Sequence, residues 1–375
     1  MSEALPLQDL LHDLLAFEGG GNLVLSAYLN AAPDRQVGRT YRTAFTTLVR
    51  QLAADLPDEA QAALEREADR VQTFLEGAPP PSRGLAIFSC TPADFWRVIP
   101  VPAVVAESVQ LGRRPYLRPL IALLDEYERY AVALVDKERA RLFTVHLGRI
   151  EEQEQVFDVV PGKHDQGGWS QANYQRHHEA HVYWHLKRVA DELSLLLRRQ
   201  PFDRLVLAGP DEAMSELQRI LPRPLRTRVV ARLPAELFAS TQEILERTLE
   251  VERQVERENE ERLVAEVLET AQQGGLATYG VWPTLEALWL GRVHLLVVAE
   301  GLRRPGSECL ACGRIVPDAP PRCPACGEAT TALDDVVERA IERALEEAGM
   351  VEIVAGAAAG RLSEAGEGMG ALLRY

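Results

Sequence analysis

Pro161-Gly-Lys-His-Asp-Gln-Gly-Gly-Trp-Ser170, followed by an unbroken helical pattern from Gln171 to Arg199, is the stretch that decides how this chain is read. Two strands, Tyr130 to Asp136 and Arg141 to His146, and a third around Glu152–Val160 precede it as a meander. A strand at Arg204–Ala208, a helix near Asp211–Leu221, a strand at Arg228–Arg232 and a charged helical stretch from Pro234 to Gln273 follow. Strands alternating with helices predict an α/β domain that presents this loop and helix from a layered core.

Five of the eight histidines (His164, His177, His178, His181, His185) and two of the three lysines (Lys163, Lys187) lie in this segment. From Gly162 to Gln200, Lys163, Arg176, Lys187, Arg188, Arg198 and Arg199 outnumber Asp165, Glu179, Asp191 and Glu192. A locally basic segment on an acidic chain is the pattern of one surface aimed at nucleic acid. Gly167 and Gly168 permit positive φ and close approach to another molecule, and Trp169 and Tyr174 offer faces for stacking. Two other readings stay open. His177, His181 and His185, spaced i, i+4, i+8, are a spacing that can hold a metal, and the same face also reads as an ordinary solvated helix surface. No P-loop, G-x-G-x-x-G fingerprint or G-x-S-x-G elbow is present, so the sequence offers no support for a nucleotide-binding or serine-hydrolase site.

Working outward, the amino-terminal part reads as a mixed α/β domain. Its elements are a strand at Leu23–Leu29, helices at Thr40–Leu52 and Asp58–Glu76, strands at Gly84–Cys90, Phe95–Pro100 and Val104–Val109, and a helix at Arg118–Arg129. The carboxy-terminal part reads as helix Pro283–Leu290, strand Val293–Ala299, a cysteine-rich insertion, helix Asp334–Glu347, strand Val351–Val354 and a glycine-rich end. The insertion carries Cys309-Leu-Ala-Cys312-Gly and Cys323-Pro-Ala-Cys326-Gly, two C-x2-C pairs ten residues apart. This spacing brings four thiolates to one ion and predicts a structural zinc ribbon over 307–329, with no open coordination position for catalysis. Cys90, within an apolar run, reads as a buried small hydrophobe. The domain reading is therefore 1–128, 129–273 and 276–375.

The whole-chain balance limits the alternatives. The 375 residues carry 41 basic against 56 acidic side chains, a formal charge of −15, which argues against a general basic coat for nucleic acid or acidic membrane. No apolar run reaches the length of a membrane span. Met1 to Phe17 is acidic and lacks a basic n-region, so it is not read as a signal peptide. The expectation is a cytoplasmic protein that meets no membrane.

These motifs together resemble the archaeal/eukaryotic-type class-1 peptide chain release factors and their relative Pelota, in particular their bacterial branch. The resemblance rests on Gly84-Leu-Ala-Ile-Phe-Ser89, on Gly162-Lys-His-Asp-Gln-Gly-Gly168 with the Tyr174–Leu193 helix, and on Tyr279-Gly280, Ala287-Leu288 and Val293–Val298. It extends to the Cys-Pro-x-Cys-Gly knuckle, Val351-Glu-Ile-Val354 and Gly370-Ala-Leu-Leu-Arg-Tyr375. It implies a three-domain, tRNA-shaped α/β architecture that binds the ribosomal A site. The first domain would face the decoding centre, the middle loop would reach the peptidyl-transferase centre and peptidyl-tRNA, and the third would meet a translational GTPase. Members of the family carry a Gly-Gly-Gln tip whose glutamine positions water against the peptidyl-tRNA ester. Here the tip reads Gly167-Gly168-Trp169-Ser170-Gln171, a Gly-x-x-Gln order similar to that of Vms-type peptidyl-tRNA hydrolases. The resemblance implies Gly167, Gly168 and Gln171 as catalytic and Lys163, His164, Trp169, Arg176 and Lys187 as RNA-binding. The stop-codon motifs of the family are absent, and the corresponding region reads Leu111-Gly-Arg-Arg-Pro-Tyr-Leu-Arg118. This moves the expectation from termination to codon-independent release or rescue, or to silent A-site occupation resembling the hibernation factor Balon.

Overall fold

The computed structural model describes residues 11, 13–17, 19–77, 82–101, 103–125, 128–146, 148–157 and 169–375, without the side chains of 55, 123–125 and 169–179. The chain forms two compact units, one of residues 1–125 with 257–375 and one of residues 126–256.

In the first unit an antiparallel sheet takes the order Phe95–Val101, Gly84–Cys90, Val24–Asn30, Ser108–Gly112. All seven residues of Gly84–Cys90 are buried, Cys90 among them, as expected of an inner strand with a continuous apolar run. Helices Thr40–Asp55 and Asp58–Leu75 bring Tyr41, Phe45, Leu64 and Val71 into one core with Leu25, Leu29, Leu85 and Ile87. Glu67 lies in this layer fully buried. It accepts from Ser89 Oγ at 2.6 Å, Thr91 N at 2.9 Å and Thr91 Oγ1 at 2.9 Å, which ties the second helix to the end of the strand. The strand expected at Val104–Val109 instead runs Ser108–Gly112. Its register is set by pairing with Val24–Tyr28, which begins at Ser108 opposite Tyr28 and leaves Val104 exposed.

The carboxy-terminal sheet has the order Ala277–Tyr279, Met369–Leu373, Val293–Ala299, Met350–Val354, and the last two strands are parallel. The glycine-rich end is not irregular. It forms helix Gly356–Gly366 and strand Met369–Leu373, an inner strand of this sheet. Small residues make the packing possible, since a Cβ on Gly366 would fall 2.9 Å from Gly280 N and 3.1 Å from Tyr279 Cβ. A helix seated by Gly and Ala carries little apolar periodicity, so its sequence signal is weak.

Within this unit the amino- and carboxy-terminal segments meet through charge. Arg118, with 7% of its side chain exposed, donates to Glu338 at 2.8 Å, to Asp335 at 2.8 Å and to the Leu302 carbonyl. Arg114 pairs with Glu346 at 2.9 Å and Glu342 at 3.4 Å. Arg339 reaches Glu308, Glu342 and Glu346, each at 3.1 Å. Glu338, Arg339, Glu342 and Glu346 stand on helix Val336–Glu346, which Asp335 caps by accepting from Val337 N at 3.0 Å.

The second unit is a five-stranded sheet in the order Arg149–Phe157, Arg139–His146, Tyr130–Val135, Arg204–Ala208, Val229–Leu233. The last three strands run parallel. Successive residues of the central strand feed opposite cores. Ala131, Ala133 and Val135 face the helices Trp169–Arg199 and Asp211–Ile220, whereas Tyr130, Val132 and Leu134 face Ile244 and Ala239. The charged helix starts at Thr241 rather than Pro234, where Ser240 Oγ accepts from Glu243 N at 3.1 Å and so caps it. Among the described residues no helix is long and apolar enough to cross a membrane.

Candidate functional site

The helix Trp169–Arg199 spans 31 residues. Val182, Leu186, Val189, Ala190, Leu193 and Leu196 recur at helical spacing, are all at most 8% exposed, and seat it on the sheet. Its backbone places Trp169, Gln171 and Arg176 within the helix; their side chains lie outside the described residues. Lys163, His164, Gly167 and Gly168 lie outside them altogether. Lys187 is described: its Nζ sits 2.7 Å from Asp191 Oδ1 in an i, i+4 pair with both side chains well exposed. An exposed pair of this kind contributes little and is easily exchanged for another anion. His185 turns into the core at 1% exposure and His181 is half-buried, so these two do not form an open face.

Residues on the outer side of this helix escaped the sequence reading. Tyr183 and Trp184 are 46% and 65% exposed, with ring centroids 5.6 Å apart. The signal was available, since neither belongs to the apolar stripe. A cleft of about 720 Å³ at the carboxyl ends of Arg204–Ala208 and Val229–Leu233 was also missed; Asp211, Arg232, Phe238, Glu243 and Arg247 line it. Its arginines are engaged locally, Arg232 with Gln218 at 3.0 Å and Arg247 with Glu243 at 2.8 Å.

The four cysteines come together as their spacing requires. Strand Gly306–Cys309 lies between Ile315–Val316 and Thr330–Leu333 in a three-stranded sheet, and each C-x2-C pair forms a turn at one end. The turns repeat one pattern. Gly313 N donates to the Cys309 carbonyl at 2.8 Å and Gly327 N to the Cys323 carbonyl at 2.9 Å. Both glycines take positive φ, +70° and +79°, a conformation costly for other residues. Cys309 Sγ lies 3.5 Å from Cys326 Sγ, Cys312 Sγ lies 3.6 Å from Cys323 Sγ, and all four sulfurs fall within 4.8 Å of one another. Among the described residues this is the only His, Cys, Asp and Glu group close enough to hold a metal ion. Burial pushes the Cys323 thiol up, but backbone amides of Cys326 and Ala325 and its thiol neighbours bring it down to about 7. The Glu328 amide favours the Cys326 thiolate, yet hydrogen bonding with Cys309 and the other thiols takes it up to about 12. Four crowded sulfurs without a cation cannot all ionise, and a dication removes that conflict.

Helix Val281–Trp289 anchors the first knuckle. Trp289 Nε1 donates to the Cys312 carbonyl at 3.1 Å, and Arg314 stacks at 4.7 Å over Trp289 and 5.4 Å over Trp282 while pairing with Glu286 at 3.1 Å. These contacts hold the cluster's scaffold against the carboxy-terminal sheet.

Residues 115–253 match the model of bacterial archaeo-eukaryotic release factor family 10. The peptide chain release factor subunit 1 of Pyrococcus abyssi is 24% identical over 405 residues, covering 98% of this chain and 97% of the relative. That of Methanopyrus kandleri is 29% identical over 286 residues, covering 71% and 64%. Among solved structures, an archaeal translation termination factor aligns over 98% of this chain and 97% of its own at 18% identity and a TM-score of 0.28. Archaeoglobus fulgidus Pelota aligns over 78% and 79% at 15% identity and a TM-score of 0.37. The chain is thus archaeo-eukaryotic release factor-like along its length, with residues 115–253 matching the bacterial family 10.

Proposed function

We propose that this protein is a cytoplasmic translation factor that binds the ribosomal A site and releases or rescues stalled peptidyl-tRNA without reading a codon. The observation that carries the reading is likeness to peptide chain release factor subunit 1 across 98% of this chain, joined to a Gly-Gly loop opening a basic helix. The functional division is 1–128 toward the decoding centre, 129–273 toward the peptidyl-transferase centre and 276–375 toward a translational GTPase. Gly167 and Gly168 give the tip its conformational freedom. Gln171 orients water against the ester, while Lys163, His164, Trp169, Arg176 and Lys187 hold RNA. Such a mechanism rests on positioning a neutral amide in a site built mainly of RNA, so one methylene of misplacement is costly.

Cys309, Cys312, Cys323 and Cys326 hold a structural zinc ion in this reading. Tetrahedral zinc at about 2.3 Å from sulfur separates its ligands by roughly 3.8 Å, close to the 3.5 and 3.6 Å found. The ion's contribution is to fix the ribbon, and no step of peptide release passes through it.

One observation favours a second reading, protection of idle ribosomes without hydrolysis: helix Trp169–Arg199 already includes Gln171, which places it in a helical turn rather than at a free tip. Peptide release from bacterial ribosomes stalled without a stop codon separates the two. Release by the wild type that falls at least 100-fold in Gln171→Ala supports catalysis; ribosome occupancy without release at saturating protein supports protection.

A further inference from the structure

The outer side of helix Trp169–Arg199 carries a pair of aromatic rings that its own fold does not use. Val182, His185, Leu186 and Val189 are buried, while the interleaved Tyr183 and Trp184 are 46% and 65% exposed and meet edge to face at 76°. A folded chain gains nothing by leaving two large rings side by side in water, and such pairs mark places where another molecule is bound. Lys187 and Arg188 follow one turn later on the same side of the helix as Trp184. Asp191 offsets part of this charge through its pair with Lys187, which both partners make in solvent and can give up cheaply to a phosphate.

We propose that Tyr183, Trp184, Lys187 and Arg188 form a docking surface for large-subunit ribosomal RNA, with an unstacked base against Trp184 and the adjacent phosphates on the two cations. The inference rests on the ribosome-binding reading and adds a contact distinct from the loop. Thirteen residues of helix separate Trp184 from Gln171, roughly 20 Å at 1.5 Å per residue. A loop end directed at peptidyl-tRNA therefore leaves this ring pair against the surroundings of the tRNA end, which are RNA. Charge favours RNA over a protein partner. On a chain of net charge −15 with only three lysines, one of them stands beside the exposed rings, and single-stranded RNA sites combine a stacking face with nearby cations in this way.

The test uses the full chain and bacterial ribosomes. Sedimentation binding of the wild type is compared with Trp184→Ala, Trp184→Phe and Tyr183→Ala, and a benzophenone amino acid at position 184 is cross-linked on the ribosome. The expected result is binding weakened about ten-fold or more by Trp184→Ala, largely restored by Trp184→Phe, with cross-links to large-subunit RNA. Trp184→Ala is expected to melt with the wild type; if it unfolds, the cross-link decides. A cross-link to ribosomal protein or tRNA overturns the RNA assignment, and undiminished binding without a cross-link overturns the surface. A wild type that does not sediment with ribosomes overturns the ribosome reading and this inference together, whereas a wild type that binds with a silent position 184 overturns this inference alone.

Discussion

Two clusters of acidic groups, one in the ribbon and one largely on the helix Val336–Glu346, are handled in different ways. One is the four thiols of the ribbon, with sulfurs 3.5 and 3.6 Å apart in pairs. The other is the carboxylate set of Glu308, Asp335, Glu338, Glu342 and Glu346, threaded by Arg114, Arg118 and Arg339. The thiols are compact and converge on one point, the arrangement that a single dication can satisfy. The carboxylates are spread along a helix and a strand, so they need several guanidiniums, each a fork that serves two or three acceptors. The two clusters adjoin in the chain, since Glu308, which pairs with Arg339, is the residue before Cys309. Local spacing builds the first cluster; only folding brings Arg114 and Arg118 to the second from more than 200 residues away.

The largest effect follows from breaking the thiol set. Cys309→Ser, or a strong chelator, is expected to remove one metal ion per chain by mass spectrometry and to cost more stability than any other single change here. Structural zinc sites carry about 10–16 kcal/mol of apparent binding free energy. An unchanged metal content in Cys309→Ser would show that the ribbon closes without the ion.

Next comes Arg118→Ala, which takes the buried guanidinium away from the largely covered carboxylates of Glu338 and Asp335, 15% and 18% exposed. Losing one partner of a buried ion pair costs about 3–5 kcal/mol, read as a lower urea midpoint. Adding Glu338→Gln should recover part of the loss, because it removes the stranded charge.

A smaller effect contrasts two buried carboxyls. Glu67 is buried but held by Ser89 and Thr91 donors, and these outweigh its desolvation and lower its pKa. Burial takes Glu342 up to about 8 despite Arg114 and Arg339, with Glu338 and Glu346 adding repulsion. For Glu342 the folded state holds a proton that the unfolded state has lost above its ordinary value of 4.5, so stability falls as pH rises from about 4.5 to 8. Glu67 has the opposite sign: its contribution is present above 4.5 and is lost as pH falls through its lowered folded value. Glu342→Gln should therefore flatten the neutral side of a stability–pH profile and leave the acid side intact. A profile unchanged between pH 5 and 8 would mean Glu342 is ionised in the fold.

Smallest of all, Lys187→Ala should change stability by no more than about 0.5 kcal/mol, since its pair with Asp191 is exposed. A larger change in thermal unfolding would reveal a structural role that the geometry does not predict.

Much of this molecule is written locally. The strand Gly84–Cys90, the meander before the loop and the apolar stripe of Val182 to Leu196 follow from periodicity, and the cysteine cluster follows from spacing alone. What escaped depends on partners distant in the chain. The strand at Ser108–Gly112 is placed by pairing with Val24–Tyr28, and the helix Gly356–Gly366 exists because small residues let it approach the sheet. The order of elements, the four-cysteine cluster and the basic composition of the loop–helix segment were determined by sequence, because each rests on residues close together along the chain. Tertiary structure decided which arginines neutralise which carboxylates, and which rings of the long helix remain in solvent. Both depend on desolvation, which a residue acquires only from the neighbours that folding places around it.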